Sequence, residues 1–199
     1  VYLHYALDVW FEETVKRQCK GNAVLCRYAD DFVCAFELAG DAQRFYDVLP
    51  KRLAKFGLEV AEDKTKLMPF NRGAKSRFAF LGFEFYWGRN RNGTTVLKRR
   101  TDRKKYRAAL ASLKAWCQEN RRLPKPMLFA KLNRKLRGYW NYYGIRGNYE
   151  SLNDYFHHVK HTLFKWLNRR SQRRSYTWTG FAALLKDFKL PKPHICHDF

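Results

Sequence analysis

Several things are scarce in this chain, and each scarcity excludes a class. No stretch of its 199 residues approaches the roughly 18 apolar side chains of a membrane-spanning helix, so no membrane partner is expected. No Cys-x-x-Cys pair occurs among the five cysteines, Cys19, Cys26, Cys34, Cys117 and Cys196. They are odd in number and scattered, and two lie in predicted buried strands. That suits free thiols acting as small hydrophobes in a reducing cytoplasm, not a disulfide framework. His194-Ile195-Cys196-His197 crowds three potential ligands into four residues. The spacing is unlike that of structural zinc sites, and no partner pair lies elsewhere. No internal repeat and no signal peptide is visible, although a chain that begins with Val1 is silent on the latter.

Acidic residues are the decisive shortage. Against 40 Lys+Arg there are 18 Asp+Glu, for a formal net charge of +22. The imbalance is local: residues 1–97 carry 15 basic and 12 acidic residues, whereas residues 98–199 carry 25 and 6, or +19. A typical small domain carries a net charge of magnitude about 2–8, so a merely solvated basic face does not account for the second half. A folded segment with that field calls for a polyanion. With 46% hydrophobic and 17% aromatic residues the chain is not a disordered tail.

Tyr28-Ala29-Asp30-Asp31 is the most informative stretch present. It lies between two apolar runs, residues 23–27 and 32–36, and reads as a hairpin with adjacent carboxylates at its tip. Asp is a common turn residue, and a solvated turn is the plain alternative. Two carboxylates held together repel, and all-oxygen ligation suits Mg²⁺. Metal-assisted phosphoryl or nucleotidyl transfer is the chemistry such a tip serves. Neighbouring strand residues point to opposite faces, so only the turn can bring both carboxylates to one metal.

Period and punctuation predict α+β organisation in the first half and helices in the second. Leu3, Leu7, Trp10 and Phe11 predict an amphipathic helix over 2–18. Asp41 is the expected N-cap of a helix running to Phe56, with Pro50 inside it as a kink or break and Gly57 at C′. Residues 58–70 are expected to be rich in strand, and residues 78–87 to form one strand. That strand returns through Val96-Leu97-Lys98 by way of an Asn92-Gly93 turn. After Lys98 four helices are expected. The first is capped by Thr101 or Asp102 and reaches about Gln118. The others run from Pro126 toward Tyr143, from Ser151 to Arg170, and from Thr179 to Phe188.

Tyr28-Ala29-Asp30-Asp31-Phe32 resembles the active-site motif of reverse transcriptases of the group II intron branch. Gly57-Leu58-Glu59-Val60 with Asp63-Lys64-Thr65-Lys66 resembles their next palm motif, and Phe80 to Phe85 their primer grip. Leu136-Arg137-Gly138-Tyr139-Trp140-Asn141-Tyr142-Tyr143 and Trp166-Leu167-Asn168-Arg169-Arg170-Ser171 resemble the maturase-specific region. The resemblance spans nearly the whole chain, with five motifs in order. It implies a partial polymerase palm over 1–98, an antiparallel sheet with helices on one face, and an all-helical basic thumb and maturase-specific domain over 99–199. The family's fingers and an upstream palm Asp have no counterpart here. The chain is therefore expected to be the C-terminal part of a longer protein, or a truncated remnant with half of the metal site absent. It ends before a nuclease module could fit, and no endonuclease is expected.

The resemblance implies RNA-directed DNA synthesis by a two-Mg²⁺ mechanism, with intron RNA, an RNA template and a DNA primer as partners, in the cytoplasm of a bacterial-type host; a homodimer stays open. Asp30 would face both cations and Asp31 would be its partner. Lys64 would serve the leaving pyrophosphate, with a solvated lysine as the alternative. Tyr28, Phe80, Leu81, Gly82 and Phe83 would lie along the primer, although core packing competes for the aromatic ones. A Gly in a strand marks a bulge or a close approach, and at Gly82 the approaching group could be a sugar-phosphate chain. In the second half, cations alternate with aromatics, as phosphates and unpaired bases require. Arg134, Lys135, Arg137, Tyr142 and Arg146 are assigned to RNA, with the run Arg169, Arg170, Arg173 and Arg174, while Leu136 and Trp140 are assigned to core. The rival reading from another class is a non-catalytic RNA-binding splicing factor.

Overall fold

Leu7 and Phe11 are fully buried where the stripe expected them, yet most of the first helical stretch is not α-helical. Two π-helical segments, His4–Val9 and Phe11–Val15, run into a short α1 (Lys16–Gln18). These features come from a computed structural model, which describes residues 2–73, 75–170 and 175–198. The wider π turn spaces contacts by five as well as four residues. Ala6 and Phe11 are accordingly buried together with Leu7 and Val15.

Contacts divide the chain into two units, residues 1–81 with 86–97 and residues 82–85 with 98–199. In the first unit, β1 (Ala23–Tyr28) and β2 (Asp31–Phe36) form an antiparallel hairpin. Helix α2 (Ala39–Ala54) packs on it through Phe45, Leu49 and Leu53. Phe11, Phe36 and Phe45 meet at ring-centroid distances of 5.2–6.0 Å at the centre of this core. Full burial of a phenylalanine side chain, as at Phe11 and Phe45, contributes about 1.5–3 kcal/mol.

Three expectations for this unit change. Asp41 lies within α2, whose N-cap is Leu38. Its buried carboxylate instead accepts the backbone N–H groups of Lys20 and Gly21 at 2.9 and 3.0 Å, fixing the turn into β1. Pro50 does not end α2, which continues to Ala54. Residues 58–70 contain no strand. Charged residues, Pro69 and a local turn on the Ala61 carbonyl occupy that stretch instead, and Phe70 anchors it against Phe78 and Trp87. Gly57 does terminate the helix as expected, with φ +66° and the Leu58 N–H bonded back to the Leu53 carbonyl.

The expected strand over 78–87 is two strands. β3 (Arg77–Phe80), β4 (Phe83–Arg89) and β5 (Thr95–Thr101) form a three-stranded sheet in that order. The fold class is α+β, with two small antiparallel sheets and helices.

The second unit is helical. Asp102 caps α3 (Arg103–Asn120) by accepting the Lys105 N–H, and Thr177 caps α6 (Trp178–Asp187) by accepting the Gly180 N–H. Between them lie α4 (Lys125–Tyr143) and α5 (Tyr149–Leu167). Their stripes, Leu128, Leu132, Leu136 and Trp140 on α4 and Leu152, Tyr155, Val159 and Leu163 on α5, close one core with Leu113, Cys117 and Phe181. Burial pushes the Cys117 thiol up to about 12, which leaves it a small hydrophobe. The chain's last residues dock on the end of α4. The Cys196 and His197 N–H groups bond to the Gly144 carbonyl, and His197 returns its carbonyl to the Arg146 N–H. No helix among the described residues is long and apolar enough to cross a membrane.

Candidate functional site

The hairpin register pairs Tyr28 with Asp31, so Ala29 and Asp30 are a two-residue loop. Ala29 has φ +55°, the left-handed conformation that such a loop demands at its first position. Along β1 the side chains alternate. Ala23, Leu25 and Arg27 face inward, while Val24, Cys26 and Tyr28 face out. Tyr28 is 68% exposed, and Asp30 and Asp31 are exposed beside it. Among the described residues neither carboxylate has a hydrogen-bond or ion-pair partner. Two adjacent, unneutralised all-oxygen donors fit a hard cation such as Mg²⁺. No cluster of three or more His, Cys, Asp or Glu side chains able to hold a metal occurs among the described residues.

The turn is held from below by Arg27. Its Nε and Nη2 donate to the two carboxylate oxygens of Asp8 at 2.6 and 2.5 Å, and its Nη1 donates to the Ala29 carbonyl at 2.6 Å. His4 Nδ1 lies 3.2 Å from Asp8 Oδ2. The Arg27 guanidinium holds the Asp8 carboxyl below its ordinary value, against the opposing effect of partial burial. Sequence reading missed both residues. The signal was present: an arginine at an inward position of a strand needs a partner.

The other expected residues are dispersed. Lys64 is exposed in the loop that follows Gly57, its N–H bonded to the Ala61 carbonyl. Phe80 ends β3, and Leu81 and Gly82, with φ +49° and +77°, are the turn into β4. Positive φ at both loop positions is the type I′ signature. Gly82 is therefore a turn glycine, and the groups close to it are tyrosines. A Cβ there would lie 3.2 Å from the Tyr143 hydroxyl. Its carbonyl accepts the Asp102 N–H at 2.8 Å. Phe83 stacks on Tyr142 and meets the Tyr143 ring edge-on.

Leu136 and Trp140 are buried, as assigned. Arg134, Lys135, Arg137 and Tyr142 are exposed on α4, as is Arg146 beyond it, where it pairs with Asp198. Arg169 is exposed near the Trp166 ring. Arg170 differs: its guanidinium donates to the Arg121 and Leu123 carbonyls just past α3. Arg173 and Arg174 lie outside the described residues.

A carboxylate-tipped hairpin in an α+β unit is followed along the chain by a strongly basic helical unit, and comparison with known families gives the class to which this order belongs. Residues 3–85 match the family model for reverse transcriptase (RNA-dependent DNA polymerase). Residues 97–181 match the model for the group II intron maturase-specific domain. With both matches in this order, the chain belongs to the group II intron reverse transcriptase/maturase family. The comparison with curated proteins gives no match.

Proposed function

We propose that the hairpin tip is the metal-binding edge of an RNA-directed DNA polymerase site, and that the basic helical unit holds intron RNA during splicing. One observation carries the catalytic half: Asp30 and Asp31 are exposed, adjacent and unneutralised in a chain of net charge +22. In that reading the two carboxylates hold Mg²⁺, with Asp30 as the principal ligand. Bound Mg²⁺ supplies positive charge where the transferred phosphate gains negative charge. Tyr28 lies against the primer end, and Lys64 neutralises the departing pyrophosphate. The turn Phe80-Leu81-Gly82-Phe83 presents its backbone to the primer strand. Residues 1–98 act as the palm, and residues 99–199 as the thumb and maturase region. Arg134, Lys135, Arg137, Arg146 and Arg169 supply cations for phosphates, and Tyr142 a ring for an unpaired base. Arg170 adds charge while its fork serves the fold, and Arg173 and Arg174 extend the same run.

The test is primer extension on an RNA template with Mg²⁺, using the protein as the cell makes it, with intron splicing measured on the same preparations. Asp30→Ala should abolish cDNA synthesis and leave splicing assistance intact, since RNA is held by the basic unit. Unchanged synthesis in both Asp30→Ala and Asp31→Ala would overturn the catalytic assignment and favour a splicing factor without polymerase chemistry. Equal loss of both activities in a folded variant would place the hairpin in the RNA-binding surface.

A further inference from the structure

We propose that Arg27 is a positioning residue for the carboxylate turn, acting as a three-way clamp that joins Asp8 on the first helical stretch to the Ala29 carbonyl. The inference rests on the reading of Asp30 and Asp31 as metal ligands. Its basis is geometric. Three nitrogens of one guanidinium are committed at 2.5–2.6 Å, two to the Asp8 carboxylate and one to the peptide that leads into Asp30. A planar guanidinium with both ends engaged has no rotational slack, which a lysine ammonium cannot imitate. Ala29 is also held at φ +55°, a conformation unfavourable to any residue with a Cβ. The clamp supplies a carbonyl contact that favours it. Two carboxylates that repel would otherwise splay, since no cation of the described residues pairs with either. Arg27 thus fixes the turn without touching the reacting groups.

Displacing a reacting geometry by about 1 Å can cost about 100-fold in rate. In the protein as the cell makes it, Arg27→Lys and Arg27→Gln should lower kcat for cDNA synthesis about 10- to 100-fold, with RNA affinity and the KM for nucleotide little changed. Hydrogen exchange at the amides of residues 28–31 should quicken while α2 keeps its protection. The exchange ordering is read without metal or activity. The double variant Asp8→Arg with Arg27→Asp separates positioning from a merely structural ion pair. It restores the pair but offers no donor to the Ala29 carbonyl. Recovered thermal stability with kcat still low supports the clamp, whereas recovery of kcat overturns it. If Arg27→Gln does not fold, Asp8→Asn, which keeps the shape and weakens the pair, should still raise exchange at the turn. Unchanged exchange there overturns the proposal. Asp30→Ala run alongside separates the two ideas. Synthesis surviving that change defeats the metal-ligand reading, whereas synthesis lost there but intact in the Arg27 variants defeats only the clamp.

Discussion

Asn148 and Thr101 are locked together at the start of the helical unit. Asn148 Oδ1 accepts the Thr101 N–H at 2.8 Å, and its Nδ2 donates to the Thr101 hydroxyl and the Tyr143 carbonyl, both at 2.9 Å. Asn148 is fully buried, so its amide joins the end of β5, the end of α4 and the start of α5 out of reach of water. Asn148→Ala should cost about 2–4 kcal/mol, because it leaves buried backbone groups unpaired. Urea unfolding followed by near-UV circular dichroism measures this. Asn148→Asp keeps the acceptor but loses both donors, and should be no less damaging.

Asp41 sets an acid limit on the first unit. Its carboxyl is held below the ordinary value of 3.8 chiefly by the Gly21 N–H; burial opposes this, and Arg44 and the Lys20 N–H assist. A lowered folded value means that the stabilisation is present above the ordinary value and is lost as pH falls through the folded one. The wild-type chain should therefore lose urea resistance more steeply below about pH 4 than Asp41→Asn does. The asparagine keeps an acceptor for the turn and does not titrate. Parallel curves for the two proteins would show that Asp41 carries no such linkage.

Gly82→Ala should destabilise the chain by about 2 kcal/mol or more. It combines a Cβ at positive φ with crowding 3.2 Å from the Tyr143 hydroxyl. Adding Tyr143→Phe should return only the steric part of that loss. Full recovery in the double variant would mean that φ carries little of the cost. Thermal unfolding of the two variants and wild type decides it.

RNA affinity should fall steeply with salt, each neutralised phosphate contributing a log–log slope of about −0.9 on duplex or −0.7 on single strands. The triple change Arg134→Ala, Lys135→Ala and Arg137→Ala should reduce that slope by about 2–3 without altering the unfolding midpoint. Arg170→Ala should do the reverse. It gives up hydrogen bonds to the Arg121 and Leu123 carbonyls, so it lowers stability more than it lowers the slope. Filter binding across a salt series, set beside thermal melts, tests both halves.

How much of this could be read beforehand depended on range. The helical stripes of the second unit follow a 3.6-residue period, and Leu152, Tyr155, Val159, Leu163 and Trp166 are buried as that period requires. The hairpin at Ala29-Asp30 was equally local. The turn at Leu81-Gly82 was obscured because Leu81 continues an apolar run and carries no turn signal, yet sits at φ +49°. Asp41 had the composition of a cap, but its hydrogen bonds reach residues 20 and 21 positions away. Asp8 and Arg27 are 19 positions apart, and only the packing of helix against hairpin brings them together. The individual roles proposed for Asp30, Asp31 and Lys64 rest on motif resemblance, since exposed charges leave no periodic trace.

The docking of His197 on Gly144 has a consequence for the order in which the molecule is made. A Cβ on Gly144 would run into the Trp140 and His194 carbonyls, so the closing segment lies directly over the end of α4. Trp140 donates its indole N–H to the Pro191 carbonyl at 3.1 Å, and Ile145 bridges to His197. A chain emerging from the ribosome N-terminus first can form α3, α4 and α5 early. Their shared corner stays unlatched until residues 191–197 have followed. The basic helical unit therefore closes its core only after the carboxylate hairpin has had time to fold.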